Sequence, residues 1–291
     1  NPNHIVIGAA TGGVWISNNG GLNWTPVFDK EECASVGAVA IDQTNPDIIW
    51  VGTGEGNVRN STSIGCGMFK SVDGGKSWSK VGLDKTERIN RIALDPRDSN
   101  VAYAAAMGKL WGANEERGLY KTTDGGKSWN KVLYVDENVG ATDVQMDPSN
   151  PNKLFASMWN FRRWPYQFKS SEEGSGMFVS HDGGENWKQL TVEDGLPKGP
   201  IGRTSFQVSP SNPNVVYALL EHKKSPLIRS NDGGSTWKVV NKNPLLNDRP
   251  FYYGEIRIDP NNPDVIYQVG TLVEKATKLV GKDNEKAIVE L

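Results

Sequence analysis

The chain has 291 residues and a formal net charge of -2, and it contains 32 glycines, 16 prolines, ten tryptophans and two cysteines. This near balance of charge offers no general attraction to nucleic acid or to an anionic membrane, and no apolar run approaches the roughly 18 residues of a membrane span. The glycine and proline content is typical of a turn-rich, all-β protein.

Five nearly identical eight-residue phrases recur along the chain. They are Ser17–Trp24 (SNNGGLNW), Ser71–Trp78 (SVDGGKSW), Thr122–Trp129 (TTDGGKSW), Ser180–Trp187 (SHDGGENW) and Ser230–Trp237 (SNDGGSTW). Their closing tryptophans stand 50 to 58 residues apart, which fits a repeat of one four-stranded sheet with a long loop. The Gly-Gly pair supplies the positive φ angles of a tight turn, so each phrase predicts a β-hairpin.

The third position of the phrase holds a short polar side chain. It is Asn19, Asp73, Asp124, Asp182 or Asp232. Such a side chain accepts hydrogen bonds from the amides of its own turn. Catalysis or metal binding would need one constellation rather than a copy in every repeat, so we interpret these residues as structural.

A second phrase, of the Asp-Pro type, alternates with the first. Its copies are Ile41–Pro46, Leu94–Ser99, Met146–Pro151, Val208–Pro213 and Ile258–Pro263. Each copy follows one alternating strand and precedes another, which places it in the turn between the first two strands of a sheet. One repeat is therefore strand, Asp-Pro turn, strand, variable loop, strand, Gly-Gly turn, strand.

This pattern predicts a β-propeller of about six four-stranded blades. The predicted blades are 1–28, 36–83, 88–134, 141–191, 202–241 and 251–269, of which the first lacks its innermost strand and the last has only two strands. A propeller closes by sealing its edges. Incomplete first and last blades therefore indicate a piece of a longer chain.

Residues 270–291 leave the repeat pattern. Leu272, Val273, Ala276, Leu279 and Val280 fall at helical spacing, with lysines and glutamates between them. This spacing predicts a short amphipathic helix in an atypical tail.

Cys33 and Cys66 belong to two connections that open on the same face of a propeller. That geometry allows a disulfide, which would favour an oxidising compartment, and it equally allows two free thiols. No histidine or second cysteine stands at metal-ligand spacing near either residue, and the sequence indicates neither a metal site nor a cofactor.

The loops after the second strands and between blades are long and varied, and loops of this kind usually carry binding. The most conspicuous, Met158–Phe168, combines aromatic rings with arginines, which suit sugars, carboxylates and peptide termini; a loop that tucks its rings inward is the alternative. The candidate ligand-binding residues on this face are Glu55, Arg59, Trp111, Trp159, Arg162, Arg163, Trp164, Tyr166, Arg249 and Tyr252. We expect Trp159, Arg162, Arg163 and Trp164 to be partly exposed and to share a depression with Glu55, Trp111 and Tyr252.

The five phrases resemble the Asp-box, or bacterial neuraminidase repeat, and residues 1–269 resemble the sortilin-like propeller proteins of bacteria. The stretches Trp159–Pro165 and Gly52–Glu55 look characteristic of that group. The resemblance implies a large secreted, periplasmic or cell-surface chain of a kind often labelled glycosyl hydrolase. Asp-boxes also occur in sialidases, endoglucanases and non-enzymatic receptors, so the fold does not fix the function.

The sequence lacks motifs that two classes of enzyme with the same repeat carry. Sialidases carry an Arg-Ile-Pro segment, of which Arg163–Pro165 is a distant echo, and the xyloglucan hydrolases place a catalytic aspartate where this chain has Ala10. No catalytic residue is therefore assigned. The sequence favours an extracellular binding or scaffold propeller for a peptide, protein or glycan, joined to the rest of a longer parent chain. The alternative is a glycoside hydrolase whose active site lies partly outside these residues.

Overall fold

The computed structural model describes residues 1–224, 227–270, 273–277 and 288–290. The chain divides into two compact units. The first unit comprises residues 1–144 and 163–165, and the second comprises residues 145–162 and 166–291.

The first unit contains three antiparallel sheets in which each strand pairs with the next along the chain. The first sheet is β1 (Ile5–Ala9), β2 (Gly13–Ser17) and β3 (Thr25–Pro26). The second is β4 (Val36–Ile41), β5 (Ile49–Thr53), β6 (Met68–Ser71) and β7 (Ser79–Lys80). The third is β8 (Ile89–Leu94), β9 (Ala102–Ala106), β10 (Gly118–Thr122) and β11 (Asn130–Leu133).

The strand β12 (Val139–Asp147) contains the boundary between the units, and its sheet continues with β13 (Asn150–Asn160), β16 (Gly176–Ser180) and β17 (Lys188–Gln189). Two short strands, β14 (Arg162–Trp164) and β15 (Gln167–Lys169), lie in the connection between β13 and β16. The next sheet is β18 (Thr204–Val208), β19 (Val216–Leu220), β20 (Leu227–Ser230) and β21 (Lys238–Asn241). The last is β22 (Glu255–Asp259), β23 (Asn262–Val269), β24 (Val273–Thr277) and β25 (Ile288–Glu290), and short 3-10 helices span Val192–Asp194 and Pro244–Asn247.

In the second and third sheets the second strand, β5 or β9, is buried at every residue. In β5 all five residues are buried, and Val51 pairs with Val39 of β4 on one side and Phe69 of β6 on the other. A strand covered on both faces reads as a continuous apolar run rather than an alternation. The all-β architecture of four-stranded antiparallel sheets that the repeat predicts is confirmed.

The core of each unit lies between neighbouring sheets. In the first unit, Val14 and Phe28 pack with Val51 and Phe69, and the two phenylalanine ring centroids are 5.1 Å apart in an edge-to-face contact. In the second unit, Phe155, Phe206 and Trp237 belong to one buried cluster. Because each sheet is covered by its neighbour, hydrophobic burial couples adjacent blades within each unit.

The Gly-Gly turns need glycine for two reasons. Gly74 and Gly75 have φ angles of 72° and 84°, in the left-handed region that L residues with side chains avoid. A Cβ on Gly75 would also lie 2.8 Å from the Cδ1 of Ile16 in the preceding sheet. The turn is therefore both tightly wound and closely packed.

The helix predicted over 270–291 is wrong where the structure describes that tail. Residues 273–277 and 288–290 are strands, and they complete a four-stranded last sheet in place of the two strands expected there. Val273 of β24 pairs with Val269 of β23, and Ile288 of β25 pairs with Ala276 of β24, so pairing between strands satisfies the backbone where local spacing favoured a helix. Residues 271–272, 278–287 and 291 lie outside the described residues.

Candidate functional site

The Asp-box turns are closed by their own side chains. Asp73 Oδ1 accepts hydrogen bonds from the backbone N–H of Ser77 at 2.9 Å and from the Ser71 hydroxyl at 2.8 Å, while Ser71 Oγ accepts from the Gly75 N–H at 2.8 Å. Bonds from the Ser77 hydroxyl and N–H lower the pKa of Asp73 to about 2. Asn19, Asp124, Asp182 and Asp232 each accept the corresponding two bonds. The geometry accounts for these residues as turn acceptors.

Glu55 lies in the long loop between β5 and β6, where its carboxylate is fully engaged. Arg59 donates to both oxygens, from Nε to Oε1 at 2.6 Å and from Nη2 to Oε2 at 2.8 Å. The Glu55 side chain is 5% exposed, whereas that of Arg59 is 48% exposed. The loop therefore exposes the guanidinium group of Arg59 and buries the carboxylate of Glu55.

Two buried arginines, not anticipated from the sequence, hold the long loops of the first unit. Arg88 donates to Glu87 at 2.9 Å and to the Thr62 hydroxyl at 3.0 Å. Arg117 is fully buried and donates to the backbone oxygens of Asn138, Lys109 and Gly112. Burial lowers the pKa of Arg88, and the neighbouring Glu87 opposes that effect. These loops are thus fixed by internal charges.

The other candidates in the first unit lie on adjoining loops. Arg163 Nε donates to Asn60 Oδ1 at 2.6 Å, and the Arg163 N–H donates to the backbone oxygen of Leu110 at 3.4 Å. Trp111, the next residue, is 48% exposed, and Trp164 is half-buried. Arg59, Arg163, Trp111 and Trp164 therefore belong to one unit, on the loops that follow β5 and β9 and on residues 163–165.

Trp159 belongs to the second unit and is not partly exposed as expected. Its ring is fully buried and stacks on Phe161 at a centroid distance of 4.5 Å, and its Nε1 donates to Ser170 Oγ at 2.8 Å. The apolar surroundings of a large ring outweighed its position at a loop entrance. Trp159 is therefore part of the support of the site rather than its surface.

A row of aromatic rings leads from Trp159 toward the surface of the second unit. Phe168 lies 5.9 Å from Trp159, Phe251 lies 5.2 Å from Phe168, and Tyr252 lies 4.7 Å from Phe251, all as ring centroid distances. Tyr253 ends the row, 6.3 Å from Tyr252, and is 46% exposed. We call Trp159, Phe168, Phe251, Tyr252 and Tyr253 the aromatic row.

Arg203 and Glu221 contact the aromatic row and the residues beside it. The Arg203 guanidinium carbon lies 5.9 Å from the centre of the Trp159 ring, and its Nη1 donates to the backbone oxygens of Phe251 at 3.2 Å and Tyr252 at 3.4 Å. Glu221 Oε2 accepts from the Ser170 hydroxyl at 2.7 Å and from the Arg203 N–H at 2.9 Å. Arg203 and Glu221 therefore connect the segments that carry Trp159, Ser170 and Phe251–Tyr252.

The remaining candidates have different surroundings. Arg249 is exposed, and its backbone oxygen accepts from the N–H groups of Tyr252 and Tyr253. Tyr166 is 84% exposed, and Arg162 is half-buried. The residues expected to share a depression belong to both units: Glu55, Trp111, Arg163 and Trp164 to the first, and Trp159, Arg162 and Tyr252 to the second. Sequence reasoning missed Phe168, Phe251, Tyr253, Arg203 and Glu221 as members of a site, although the run Phe251–Tyr253 was a usable signal.

Cys33 and Cys66 form a disulfide within the first unit, with Cα atoms 6.3 Å apart. The bond ties the connection before β4 to the loop that carries Glu55 and Arg59. Among the described residues, no group of three or more His, Cys, Asp or Glu side chains is arranged to hold a metal ion. Those same residues include no helix long and apolar enough to cross a membrane.

Comparison with known proteins places these features in a family context. A family model described as Sortilin, neurotensin receptor 3, matches residues 66–195. A probable oligoxyloglucan-reducing end-specific xyloglucanase of Neosartorya fischeri is 25% identical over 184 residues, which cover 57% of this chain and 20% of the relative. The vacuolar protein sorting/targeting protein 10 of Eremothecium gossypii is 30% identical over 125 residues, which cover 42% of this chain and 8% of that protein.

Among solved structures, the GH74 xyloglucanase from Xanthomonas campestris superposes with a TM-score of 0.64 at 14% identity, covering 99% of this chain and 52% of that one. At this identity the likeness concerns the fold alone. The chain spans about a fifth of the length of the xyloglucanase relative from Neosartorya fischeri and about half of this solved structure. The repeats, the sheets and these matches agree: the chain is an Asp-box-repeat β-propeller similar to the sortilin family and to glycoside hydrolases.

Proposed function

We propose that this chain is a binding segment of a secreted or cell-surface propeller protein, and that the aromatic row of the second unit is its contact surface for a glycan, peptide or protein. The observation that carries the proposal is the run of contacting aromatic rings, edge-to-face or tilted, that starts at the buried Trp159 and ends at the half-exposed Tyr253. Aromatic side chains that are held by packing at one end and exposed at the other lose little conformational entropy when a ligand covers them.

The chemistry at the outer end suits a ligand with both apolar and polar faces. Tyr252 and Tyr253 offer ring surfaces and hydroxyl groups, and the exposed Arg249 lies three and four residues before them. Aromatic rings stack on sugar or apolar faces, and a guanidinium pairs with carboxylates. Bracing by Arg203 keeps the backbone of Phe251 and Tyr252 in place, which limits the ordering cost of binding.

The acids near these loops argue against a catalytic role. Glycoside cleavage needs two accessible carboxyl groups on either side of the bond. Glu55 is buried with both oxygens engaged by Arg59, and Glu221 Oε2 already accepts two hydrogen bonds. Both carboxylates are therefore engaged in internal hydrogen bonds rather than directed toward a substrate.

The disulfide between Cys33 and Cys66 favours an oxidising location for this segment, because cytosolic thiols are kept reduced. We therefore propose a secreted, periplasmic or cell-surface protein, with this chain as part of a longer one.

A second candidate is a glycoside hydrolase whose remaining active-site groups lie outside these residues. The similarity to a xyloglucanase over 57% of the chain favours it. Xyloglucan is accordingly the first ligand to test, both for binding and for cleavage.

The deciding experiment measures binding of purified 1–291 to xyloglucan and to an array of synthetic peptides, alongside the release of reducing ends from the polysaccharide. Replacement of Tyr252 and Tyr253 by alanine should remove on the order of 2 kcal/mol of affinity for any ligand that binds the row. Tyr134→Ala is the matched control, because Tyr134 is 44% exposed and lies in the first unit. Equal affinity in the wild type and the double variant would contradict the proposal, and release of reducing ends would favour the hydrolase.

A further inference from the structure

The second unit contains a groove of about 320 Å³ between the turn that follows β15 and the segment that joins β17 to β18. Its floor is aliphatic, because Leu190 and Leu196 are buried members of the core cluster that includes Phe155, and Ile201 packs against that cluster. Val192, which is 51% exposed, adds apolar surface to the wall. The described residues that line the groove include no aromatic ring and no member of the aromatic row.

Two exposed carboxylates, those of Glu172 and Glu173, belong to the same wall. In the described part of the chain neither has a salt-bridge partner, and Lys188, two residues before the floor begins, pairs with Asp194 at 2.6 Å instead. No lysine, arginine or histidine is found among the described lining residues. The groove therefore combines an aliphatic floor with a negatively charged edge.

Hydrogen bonds hold the turn that carries the two glutamates. The Asn160 N–H donates to Ser175 Oγ at 2.8 Å, and Asn160 Nδ2 donates to the backbone oxygen of Glu173 at 2.7 Å. The Ser175 N–H also donates to the backbone oxygen of Glu172 at 3.2 Å. These bonds fix the backbone of the turn without engaging either carboxylate, so both remain able to pair with a ligand.

The apolar side of the groove is fixed as well. Thr191 and Asp194 form a capping box around the 3-10 helix Val192–Asp194, in which the Thr191 N–H donates to Asp194 Oδ2 at 2.8 Å. The Leu196 N–H donates to the backbone oxygen of Thr191 at 3.2 Å, and the Trp237 N–H donates to that of Asp194 at 2.8 Å. A groove with fixed walls costs little ordering when it is filled.

We propose that this groove binds the side chain of an arginine or lysine of a partner protein, with its methylene stem on the surface of Leu190 and Leu196 and its charged end at Glu172 and Glu173. Both side chains bury an aliphatic stem along apolar surface while the charge stays at the edge. A cationic N–H group also makes its strongest hydrogen bonds to carboxylates.

Other occupants match the groove less well. A sugar would find no aromatic ring to stack on among the described lining residues. A purely apolar side chain would cover the floor but leave the two carboxylates without a counter-charge. A small inorganic cation would pair with the carboxylates but leave the aliphatic floor uncovered. Only an aliphatic stem with a cationic end satisfies both parts of the wall.

The groove adds a second contact to the second unit and does not depend on the aromatic row. The two share no residue, although Ser170 and Arg203, which contact the row, stand two residues before Glu172 and two residues after Ile201. The groove is therefore a neighbour of the row along the chain, and either site can fail without the other.

The test follows methyl signals of the groove by NMR, in 1–291 labelled at its isoleucine, leucine and valine methyl groups. The probe is the tripeptide alanyl-arginyl-alanine, blocked at both ends, and its matched control has citrulline, which keeps the shape of arginine without the charge. The arginine peptide should shift the methyl signals of Leu190, Leu196 and Ile201 and bind about fivefold more tightly than the citrulline peptide. A lysine peptide and its norleucine counterpart should show the same order.

Variants separate the charge from the apolar contact. Glu172→Gln with Glu173→Gln should weaken the arginine peptide about fivefold and leave the citrulline peptide unchanged, because the contacts of the stem remain. Val192→Ala should weaken both peptides about twofold, because apolar surface is lost at constant charge. The matched control, Glu115→Gln with Glu185→Gln, removes two exposed acids that do not line the groove. It should bind both peptides as the wild type does.

The proposal is overturned if neither basic peptide shifts the methyl signals of the groove or if the arginine and citrulline peptides bind equally. Equal losses of affinity in the control and in the variant of Glu172 and Glu173 would overturn it too. A xyloglucan oligosaccharide that shifts the same signals more strongly than the peptides would assign the groove to a glycan instead. Tyr252→Ala with Tyr253→Ala should leave this titration unchanged, which keeps a failure of the aromatic row distinct from a failure of the groove.

Discussion

The indole Nε1 of Trp129 donates a 2.7 Å hydrogen bond to the backbone oxygen of Val81, so the last residue of one Asp-box is fastened to the end of the preceding sheet. Trp78 makes the same kind of bond to Val27. Trp24, in contrast, donates to Gly21 inside its own turn at 3.0 Å. The same tryptophan position therefore joins two sheets in some repeats and closes one turn in others.

Replacement of Trp129 by phenylalanine should keep most of the ring and lose this bond. We expect a loss of about 1 kcal/mol in the free energy of unfolding, together with faster hydrogen exchange at the Val81 amide, which donates to Met68 at 2.8 Å. In Trp24→Phe the Val81 amide should exchange as in the wild type. Equal exchange at Val81 in both variants would show that the bond between sheets carries no stability.

The aspartates of the Gly-Gly turns should make stability depend on acid pH. The pKa of Asp124 is lowered to about 2 from its ordinary 3.8, first by the Ser128 hydroxyl and then by the Ser128 N–H. As pH falls, the unfolded chain takes up the proton first, so the contribution of the folded carboxylate is complete above about pH 4 and is lost toward pH 2. Urea midpoints of the wild type and Asp124→Asn should therefore differ most at pH 7 and converge near pH 2.

The first turn supplies the reverse variant, because Asn19 already stands where the other four turns have aspartate. Asn19→Asp should raise the urea midpoint at pH 7 and leave it unchanged near pH 2, since its oxygen already accepts from the Asn23 N–H at 2.9 Å and gains only the charge. A gain that persists at pH 2 would contradict the assignment to the carboxylate.

Removal of the disulfide should lower stability. Cys33 and Cys66 are separated by 33 residues, and closure of a loop of that length accounts for about 3 to 4 kcal/mol in the chain-entropy description. The double variant Cys33→Ser with Cys66→Ser should unfold at a lower temperature than the wild type and should not respond to dithiothreitol. A wild type whose melting temperature is the same with and without the reductant would contradict this expectation.

Arg117 should be essential to the loop between β9 and β10. Arg117→Met leaves the backbone oxygens of Asn138, Lys109 and Gly112 without their donor, and we expect a loss of about 3 kcal/mol or more in the free energy of unfolding. Arg257→Met is the comparison, because Arg257 is 44% exposed and pairs with Glu255, which is 40% exposed; an exposed pair of this kind contributes under about 1 kcal/mol. Denaturant unfolding of both variants measures the difference, and similar losses would refute the assigned role of Arg117.

The sequence predicts those parts of the fold whose contacts are local. The side-chain hydrogen bonds that close the Asp73 turn join residues at most four apart, so the phrase itself contains them. One further bond, from the Gly74 N–H to the backbone oxygen of Asp47 at 2.9 Å, joins the turn to the preceding Asp-Pro turn. The side-chain bonds of the Asp-Pro turns are local as well, since Asp42 accepts from Thr44 and Asn45. Local periodicity could not decide the tail, because the strand at 273–277 depends on pairing with β23.

The candidate site was less predictable for the same reason. Trp159 and Trp164 stand five residues apart in one loop, yet the first is fully buried and the second half-buried in a different unit. Phe161, Phe168 and Arg203 surround Trp159. Arg163, the residue before Trp164, is instead held by Leu110 and Asn60, which are distant in the sequence. The residue types indicated that aromatic rings and guanidinium groups form the site. Which of them reach the surface is decided by packing against residues that are distant in the sequence.

The way the Asp-box turn is closed has an evolutionary consequence. The Ser71 hydroxyl, the Asp73 carboxylate and the N–H groups of Gly75 and Ser77 satisfy one another without help from the loops at the opposite end of the sheet. Insertions and substitutions in those loops can therefore accumulate without disturbing how the hairpin is wound. In proteins built on such a turn, binding specificity can change through the loops while the residues of the turn remain under constant selection.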